Sequence, residues 1–184
     1  MHVQLEAVAE AYRAAEARLV RLADTVPADR WPVRPAPGRW SVSECVDHLN
    51  RTSEAFVPAI RAVISGAASR RGEMPGRFRR DPVGWLLSVI MPPPVRIVRS
   101  RTTADFEPVS TAPPPELVRR FNELQRAQLE CVARADGLPL DQLWVASPFN
   151  PRLRYNLYSC LVILPRHQHR HLWQAEQAAA SPPA

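Results

Sequence analysis

Apolar residues recur at alternating spacings of three and four in several separate stretches of the chain, which is the repeat of an amphipathic helix. The first stretch runs from Leu5 to Val26 and has the narrow apolar seam that helices of a bundle bury against one another. Pro27 ends it, and the proline-rich stretch 30–38 predicts a connecting loop because proline removes backbone donors. Strand-type alternation is scarce, so the sequence predicts an all-α protein.

The second helix and the long connection after it define the predicted topology. Ser41-Val42-Ser43-Glu44 is a capping box, in which a serine and a glutamate satisfy free amides of the first turn. This helix should end near Gly66. Between 66 and 115 the helical repeat breaks up, apart from a short apolar segment at 83–91 that predicts a short helix. We expect a long crossover, which either forms a lid or pocket wall or only packs over an apolar flank.

Two further helices complete the predicted bundle. One opens at Pro115, since proline suits a first turn, and Asp136-Gly137 closes it. The last should run from about 156 to 179, and Pro165 within it predicts a kink or a restart. We therefore predict a single four-helix bundle domain over 1–179, with a long crossover between helices two and three and a frayed tail over 180–184.

Three histidines are the candidate metal ligands. His167 and His171 are four residues apart, which places their Cβ atoms about 5–6 Å apart on one helix face. Two imidazoles at that separation suit one metal at roughly 2.0–2.1 Å. His48 lies on the inward stripe of the second helix. Two facing helices that offer three imidazoles predict a divalent metal site with an open coordination position. The alternatives are a hydrogen-bonded core histidine for His48 and surface histidines for the pair.

Several neighbours of these histidines have expected roles. His169 projects roughly 160–200° away from the pair, so it should be exposed and should not share the metal. Glu44 and Gln174 are candidates to orient a ring N–H, although Glu44 is first a capping residue. Asp47 should be solvated. Cys45 is either a buried thiol or a fourth ligand, and a fourth protein ligand would make the metal structural.

Charge and cysteine content suggest where the protein works. The net charge is +6, and all 24 basic residues are arginine. The densest cluster is Arg70, Arg71, Arg77, Arg79 and Arg80, which we interpret as a solvated loop rather than a phosphate-binding patch. We expect no nucleic-acid partner. The sequence has no spanning segment or secretory signal pattern, and its three cysteines are isolated, so we expect no membrane partner and a cytoplasmic location.

Two motifs resemble the DinB-like superfamily of metal-binding four-helix bundles. The first is Gly38-Arg39-Trp40-Ser41-Val42-Ser43-Glu44-Cys45-Val46-Asp47-His48-Leu49, which is similar to the start of helix two in that family. The second is His167-Gln168-His169-Arg170-His171-Leu172-Trp173-Gln174. The resemblance extends from the first helix to near Gln177. It implies that His48, His167 and His171 are the metal ligands.

The resemblance also implies a range of functions. The bound ion would be zinc, nickel or a similar divalent metal, often in a homodimer. The family includes thiol S-transferases that use low-molecular-weight thiols, so a metal-dependent thiol transfer to a small-molecule substrate is the first hypothesis. A metal-dependent hydrolase of a small amide or ester is the alternative. A non-catalytic, stress-related metal-binding protein is a third possibility.

Overall fold

The computed structural model describes residues 1–72, 76–92, 106–109 and 111–181, with Pro151 described by its backbone alone. Within these ranges five α-helices and one two-stranded sheet follow one another. They are α1 (Val3–Thr25), α2 (Val42–Gly66), α3 (Pro82–Ile90), α4 (Pro114–Ala135), β1 (Trp144–Ser147), β2 (Asn150–Asn156) and α5 (Leu157–Ala180). The predicted course of 93–105 and the end of the tail at 182–184 lie outside the described residues.

The four long helices form the predicted bundle. Helix α2 packs against α4 and α5, and α1 packs against the same two helices, so the order around the bundle is α1, α4, α2, α5. The predicted inward stripes are the buried ones, from Leu5 in α1 to Leu164 in α5. The all-α fold is therefore confirmed. None of the described helices is long and apolar enough to cross a membrane.

A layer of buried glutamines divides the core into two apolar clusters. One cluster contains Tyr12 and Phe56, and the other contains Trp31 and Phe121. The glutamine layer consists of Gln125, Gln128 and Gln168, each at most 2% exposed. Gln125 and Gln128 lie on α4 and Gln168 lies on α5, and their hydrogen bonds link α4 to α1, α2 and α5.

Each amide of the glutamine layer has partners. Gln168 Nε2 donates to Gln125 Oε1 and to Gln128 Oε1, both at 2.9 Å. Gln125 Nε2 donates to Gln168 Oε1 at 3.1 Å and to the carbonyl of Tyr12 at 2.6 Å. Gln128 Nε2 donates to Ser53 Oγ at 3.0 Å. A buried network of this kind stabilises one arrangement of the helices because any other would leave buried polar groups unpaired.

The short helix α3 packs closely on α5. Asp81 caps α3 by accepting from Gly84 N at 3.0 Å, and its other oxygen accepts from Asn156 N at 2.9 Å. Asp81 N donates to Ser159 Oγ at 3.2 Å. A Cβ atom at Gly84 would lie 2.1 Å from Ser159 Oγ. The close approach of the two helices therefore requires glycine at this position.

The β-hairpin between α4 and α5 was not predicted. Val145 pairs with Tyr155, and both are buried in the core. The segment before β1 also supports the start of α5, because Leu157 N donates to Leu143 O at 2.7 Å and Tyr158 N to Leu140 O at 3.2 Å. The hairpin thus fixes where α5 begins.

Two other expectations concern Pro165 and the arginine cluster. Of the kink or restart predicted at Pro165, the restart is wrong, because α5 is continuous through this residue. Four residues of the arginine cluster are exposed, as a solvated loop should be: Arg70, Arg71, Arg77 and Arg79. Two of them also hydrogen-bond within the fold, since Arg70 donates to Gln142 and Arg71 donates to the carbonyls of Arg134 and Asp136 at the end of α4. These two arginines bind protein carbonyls and an amide, so they are occupied within the fold.

Candidate metal centre

The three predicted histidines meet between α2 and α5. The capping box fixes the start of α2, with Ser41 Oγ accepting from Glu44 N at 3.2 Å and Glu44 Oε2 accepting from Ser41 N at 2.8 Å. His48 follows almost two turns later. Asn156 caps α5 by accepting from Ser159 N at 2.8 Å. Each ligand-bearing helix therefore starts at a defined residue, and this fixes the level at which its histidines lie.

The spacing of the three rings suits one small cation. One nitrogen from each of His48, His167 and His171 lies within 4.8 Å of the other two. The Nε2 atoms of His48 and His167 are 3.2 Å apart. Two nitrogens bound to one tetrahedral metal at roughly 2.0–2.1 Å would lie about 3.3 Å apart. The described residues of this cluster supply three nitrogens, with no carboxylate or thiol among them.

A backbone carbonyl orients His48. Its Nδ1 atom lies 2.9 Å from the carbonyl oxygen of Phe106, and since a carbonyl only accepts, Nδ1 carries the proton. Nε2 then has a free lone pair, and it faces His167. Hydrogen bonding of the second ring nitrogen to a carbonyl is the usual arrangement of a metal-binding histidine. Phe106 lies in the crossover, so at this residue the crossover forms part of the site wall.

The other two rings lack such partners. Nδ1 of His167 and Nδ1 of His171 are buried without a hydrogen-bond partner among the described residues. Burial lowers the pKa of His167 well below its usual range, with further contributions from His48 and Arg170. Burial also lowers the pKa of His171 well below its usual range, and His167 adds to that effect. Both rings are therefore neutral at neutral pH, which is the form that binds metals.

Aromatic side chains enclose the cluster. The centre of the Trp40 ring lies 5.0 Å from the centre of the His48 ring. The Trp40 ring also stacks on His171, with the two ring centres 5.6 Å apart. From the hairpin turn, Phe149 lies 6.4 Å from His48 and 6.3 Å from His167, and it packs at 4.0 Å against Phe106. Sequence reasoning gave Phe106 and Phe149 no role, because the crossover and the hairpin meet the histidines only in the folded chain. It also gave Trp40 no role, although this residue directly precedes the capping box of α2.

The two carboxylates closest in sequence to His48 already have hydrogen-bond and ion-pair partners. Glu44 pairs with Arg34, whose Nε lies 2.9 Å from Oε2, and it also closes the capping box. Asp47 is only 6% exposed, which corrects the expectation that it is solvated. Its Oδ2 accepts from Arg51 Nε and from Val109 N, each at 3.0 Å. Asp47 thus holds the crossover on α2, beside the bond between Phe106 and His48.

The remaining neighbours lie outside the cluster. His169 faces α1 and is half-buried rather than exposed, with Nε2 3.0 Å from Ala11 O and Nδ1 3.0 Å from Arg18. Gln174 raises the pKa of His171 slightly against the larger effect of burial, but it leaves Nδ1 of that ring without a hydrogen bond. Cys45 is a free buried thiol in the apolar core, and burial raises its pKa.

The fold and the cluster define a class: a four-helix bundle with three histidines, on two of its helices, that are able to hold a divalent metal. The sequence profile of the DinB superfamily matches residues 11–175, so the chain belongs to that superfamily. The match covers both histidine motifs. No curated protein and no solved structure matches the chain.

Proposed function

We propose that the protein is a metal-dependent thiol S-transferase that uses a low-molecular-weight thiol and a small electrophilic substrate. The observation that carries the proposal is the cluster of His48, His167 and His171, which offers only neutral nitrogen ligands. Three protein ligands leave a position for an exogenous group. A divalent ion such as zinc or nickel, held by the three histidines, would lower the pKa of a thiol bound at the open position. Thiolate would then be available at neutral pH.

The protein's own residues have defined parts in this proposal. The carbonyl of Phe106 holds the His48 proton on Nδ1, which keeps Nε2 free as a ligand. Burial keeps His167 and His171 neutral, so a cation does not compete with protons near pH 7. Trp40 and Phe149 cover the rings with apolar surface. A low-polarity wall strengthens electrostatic interactions at the site and favours an apolar electrophile.

The environment favours transfer over hydrolysis. A hydrolase of this kind would use a nearby carboxylate as general base to activate water. The two carboxylates closest in sequence to His48 are Glu44 and Asp47, and both already accept hydrogen bonds from arginine and from backbone amides. A thiol needs no such base, because its pKa starts at about 8.5 and a bound cation would lower it enough for the proton to pass to bulk water at neutral pH.

Metal analysis tests the site. We expect roughly one divalent ion per chain in the wild type, lost in His48→Ala, His167→Ala and His171→Ala. His169→Ala is the matched control, since this histidine lies on the same helix but faces α1. Unchanged metal content in the His48 variant would refute the three-histidine site.

A second assay tests the chemistry. The metal-loaded protein is incubated with an electrophilic aryl halide and a panel of small thiols. We expect conjugation that depends on the thiol and on the metal, and that is lost in the His171→Ala variant. Hydrolysis of small esters or amides at a rate independent of added thiol, with no conjugation, would contradict thiol transfer while leaving the metal site intact.

A further inference from the structure

One face of α3 exposes three large apolar side chains. Trp85, Leu86 and Val89 are 53%, 52% and 53% exposed. They lie on the side of the helix opposite Gly84 and Ser88, which are buried towards α5. We call these three residues the α3 face. Apolar side chains gathered on one surface mark an interaction site far more often than apolar residues scattered singly.

The exposed charges that directly precede α3 in the chain are positive, because Arg77 and Arg79 are both exposed. Arg80 and Arg166 lie on the other side of the helix, since Arg80 donates to Ser88 Oγ and Arg166 donates to Ser88 O, and Ser88 is buried towards α5. Arg77 and Arg79 are therefore the arginines that can act together with the α3 face.

No exposed acidic group within 76–92 offsets this charge. The one acidic residue in that stretch is Asp81, which is 8% exposed. Its two carboxylate oxygens accept from Gly84 N and Asn156 N, so it serves the packing of α3 on α5. The exposed surface of this stretch therefore combines apolar side chains with cationic ones.

This combination limits the kind of partner. A two-fold dimer through the α3 face would cover the apolar side chains but would leave Arg77 and Arg79 without an anionic partner from the same stretch of the other copy, because both copies present the same patch and its one acidic residue is buried. A nucleic acid would satisfy the arginines but would leave Leu86 and Val89 without apolar contacts. An anionic bilayer satisfies both, since its headgroups attract arginine and its acyl region accepts apolar side chains.

We propose that the α3 face binds the surface of an anionic lipid bilayer. Leu86 and Val89 enter the outer acyl region, and Trp85 lies at the headgroup level that its amphipathic ring prefers. Arg77 and Arg79 contact lipid phosphates. A helix of nine residues does this without spanning the membrane. The expectation of no membrane partner rested on the lack of a spanning segment, which does not exclude surface binding.

Vesicle co-sedimentation tests the proposal. The full chain is mixed with vesicles of phosphatidylcholine alone or with half phosphatidylglycerol, at low and at high salt. We expect binding to the anionic vesicles that weakens with salt and little binding to the neutral ones. The Trp85→Ser/Leu86→Ser variant should lose at least about tenfold in partition coefficient. The Arg77→Gln/Arg79→Gln variant should lose about ten- to thirtyfold.

Trp144→Ser is the matched control, because Trp144 is 46% exposed but lies on β1 and is not part of the α3 face. It should bind like the wild type. Vesicles with brominated acyl chains give a second measurement: they should quench tryptophan fluorescence in Trp144→Phe but much less in Trp85→Phe. Thermal unfolding by circular dichroism confirms that each variant is folded.

Three outcomes would overturn the proposal. One is no binding to anionic vesicles at low salt. Another is an equal loss of binding in the Trp144→Ser control. The third is a dimer in light scattering that dissociates in Trp85→Ser/Leu86→Ser, since the α3 face would then bind a second copy of the chain.

Discussion

Acid should destabilise the metal-free protein through its buried histidines. Burial lowers the pKa of His167 and of His171 in the folded chain well below the usual value of 6.5. In the unfolded chain both rings titrate near that usual value. When the pH falls below 6.5, the unfolded chain takes up protons that the folded chain does not. The free energy of unfolding must therefore fall with the pH.

The size of the loss in stability follows from the difference in histidine pKa between the folded and the unfolded chain. A ring that stays neutral in the folded protein and titrates at 6.5 in the unfolded chain costs up to about 1.4 kcal/mol of stability at pH 5.5, and under about 0.1 kcal/mol at pH 7.5. His167 and His171 together give up to about 3 kcal/mol. His48, whose pKa is also lowered by burial, acts in the same direction. This is a large share of the stability of an ordinary domain.

Carboxylates do not account for the change in stability between pH 7.5 and 5.5. The pKa of Asp81 is lowered in the folded protein by hydrogen bonds that outweigh its burial, and the pKa of Glu44 is lowered by Arg34 and Ser41 against its burial. A lowered carboxylate pKa stabilises the protein above the unfolded value, near 4, and that stability is lost only at more acidic pH. Between pH 7.5 and 5.5 the histidines therefore dominate.

Urea unfolding of chelator-treated protein at pH 7.5, 6.5 and 5.5 measures the effect. The wild type should lose about 3 kcal/mol across the range, with most of the loss below pH 6.5. His167→Leu/His171→Leu removes both titrating rings and should lose most of this pH dependence. A wild-type change under about 1 kcal/mol, or an equal slope in the double variant, would refute the reasoning.

Three further predictions concern packing and can be checked by thermal and urea unfolding. Gln168→Leu should lower the free energy of unfolding by about 2–5 kcal/mol, because it leaves two buried acceptors of the glutamine layer unpaired. An unchanged free energy of unfolding would mean that the layer rearranges. Gly84→Ala should cost about 1–3 kcal/mol, since its Cβ would overlap Ser159, whereas Gly66→Ala, with no atom within 4 Å, should cost nothing. Ser41→Ala should cost about 1 kcal/mol through the lost cap on α2, and an unchanged melting temperature would argue against the cap.

Local patterns in the sequence were enough to predict the helices and the three histidines. The seam of α1, the capping box of α2 and the spacing of His167 and His171 all depend on residues a few positions apart. Helical geometry also separated His169 from the cluster correctly. The predicted ends of α4 and α5 differ from the observed ones by a single residue. Such features depend on the backbone of one helix, so they can be predicted without knowing the rest of the fold.

What the sequence could not provide depends on distant contacts. Asp47 is buried because Val109 lies on it, and the two are 62 positions apart. Phe149 reaches the histidines only because β1 and β2 pair and turn back towards α2 and α5. His169 is half-buried because it meets Ala11 on α1. Each error has the same origin: a helix pattern shows which side faces inward, but not which segment covers the other side.

The hydrogen bond that orients His48 comes from the main chain of Phe106, not from its side chain. Any amino acid at position 106 can provide that carbonyl, so comparison of related sequences by residue identity would overlook this position. The spacing between Phe106 and Val109 is a different matter, because the Phe106 carbonyl binds His48 and the Val109 amide binds Asp47. Inserting or deleting one residue between these two positions would shift another carbonyl into the place of the Phe106 carbonyl, or none. Related proteins should therefore keep the length of this segment constant, even where its residues differ.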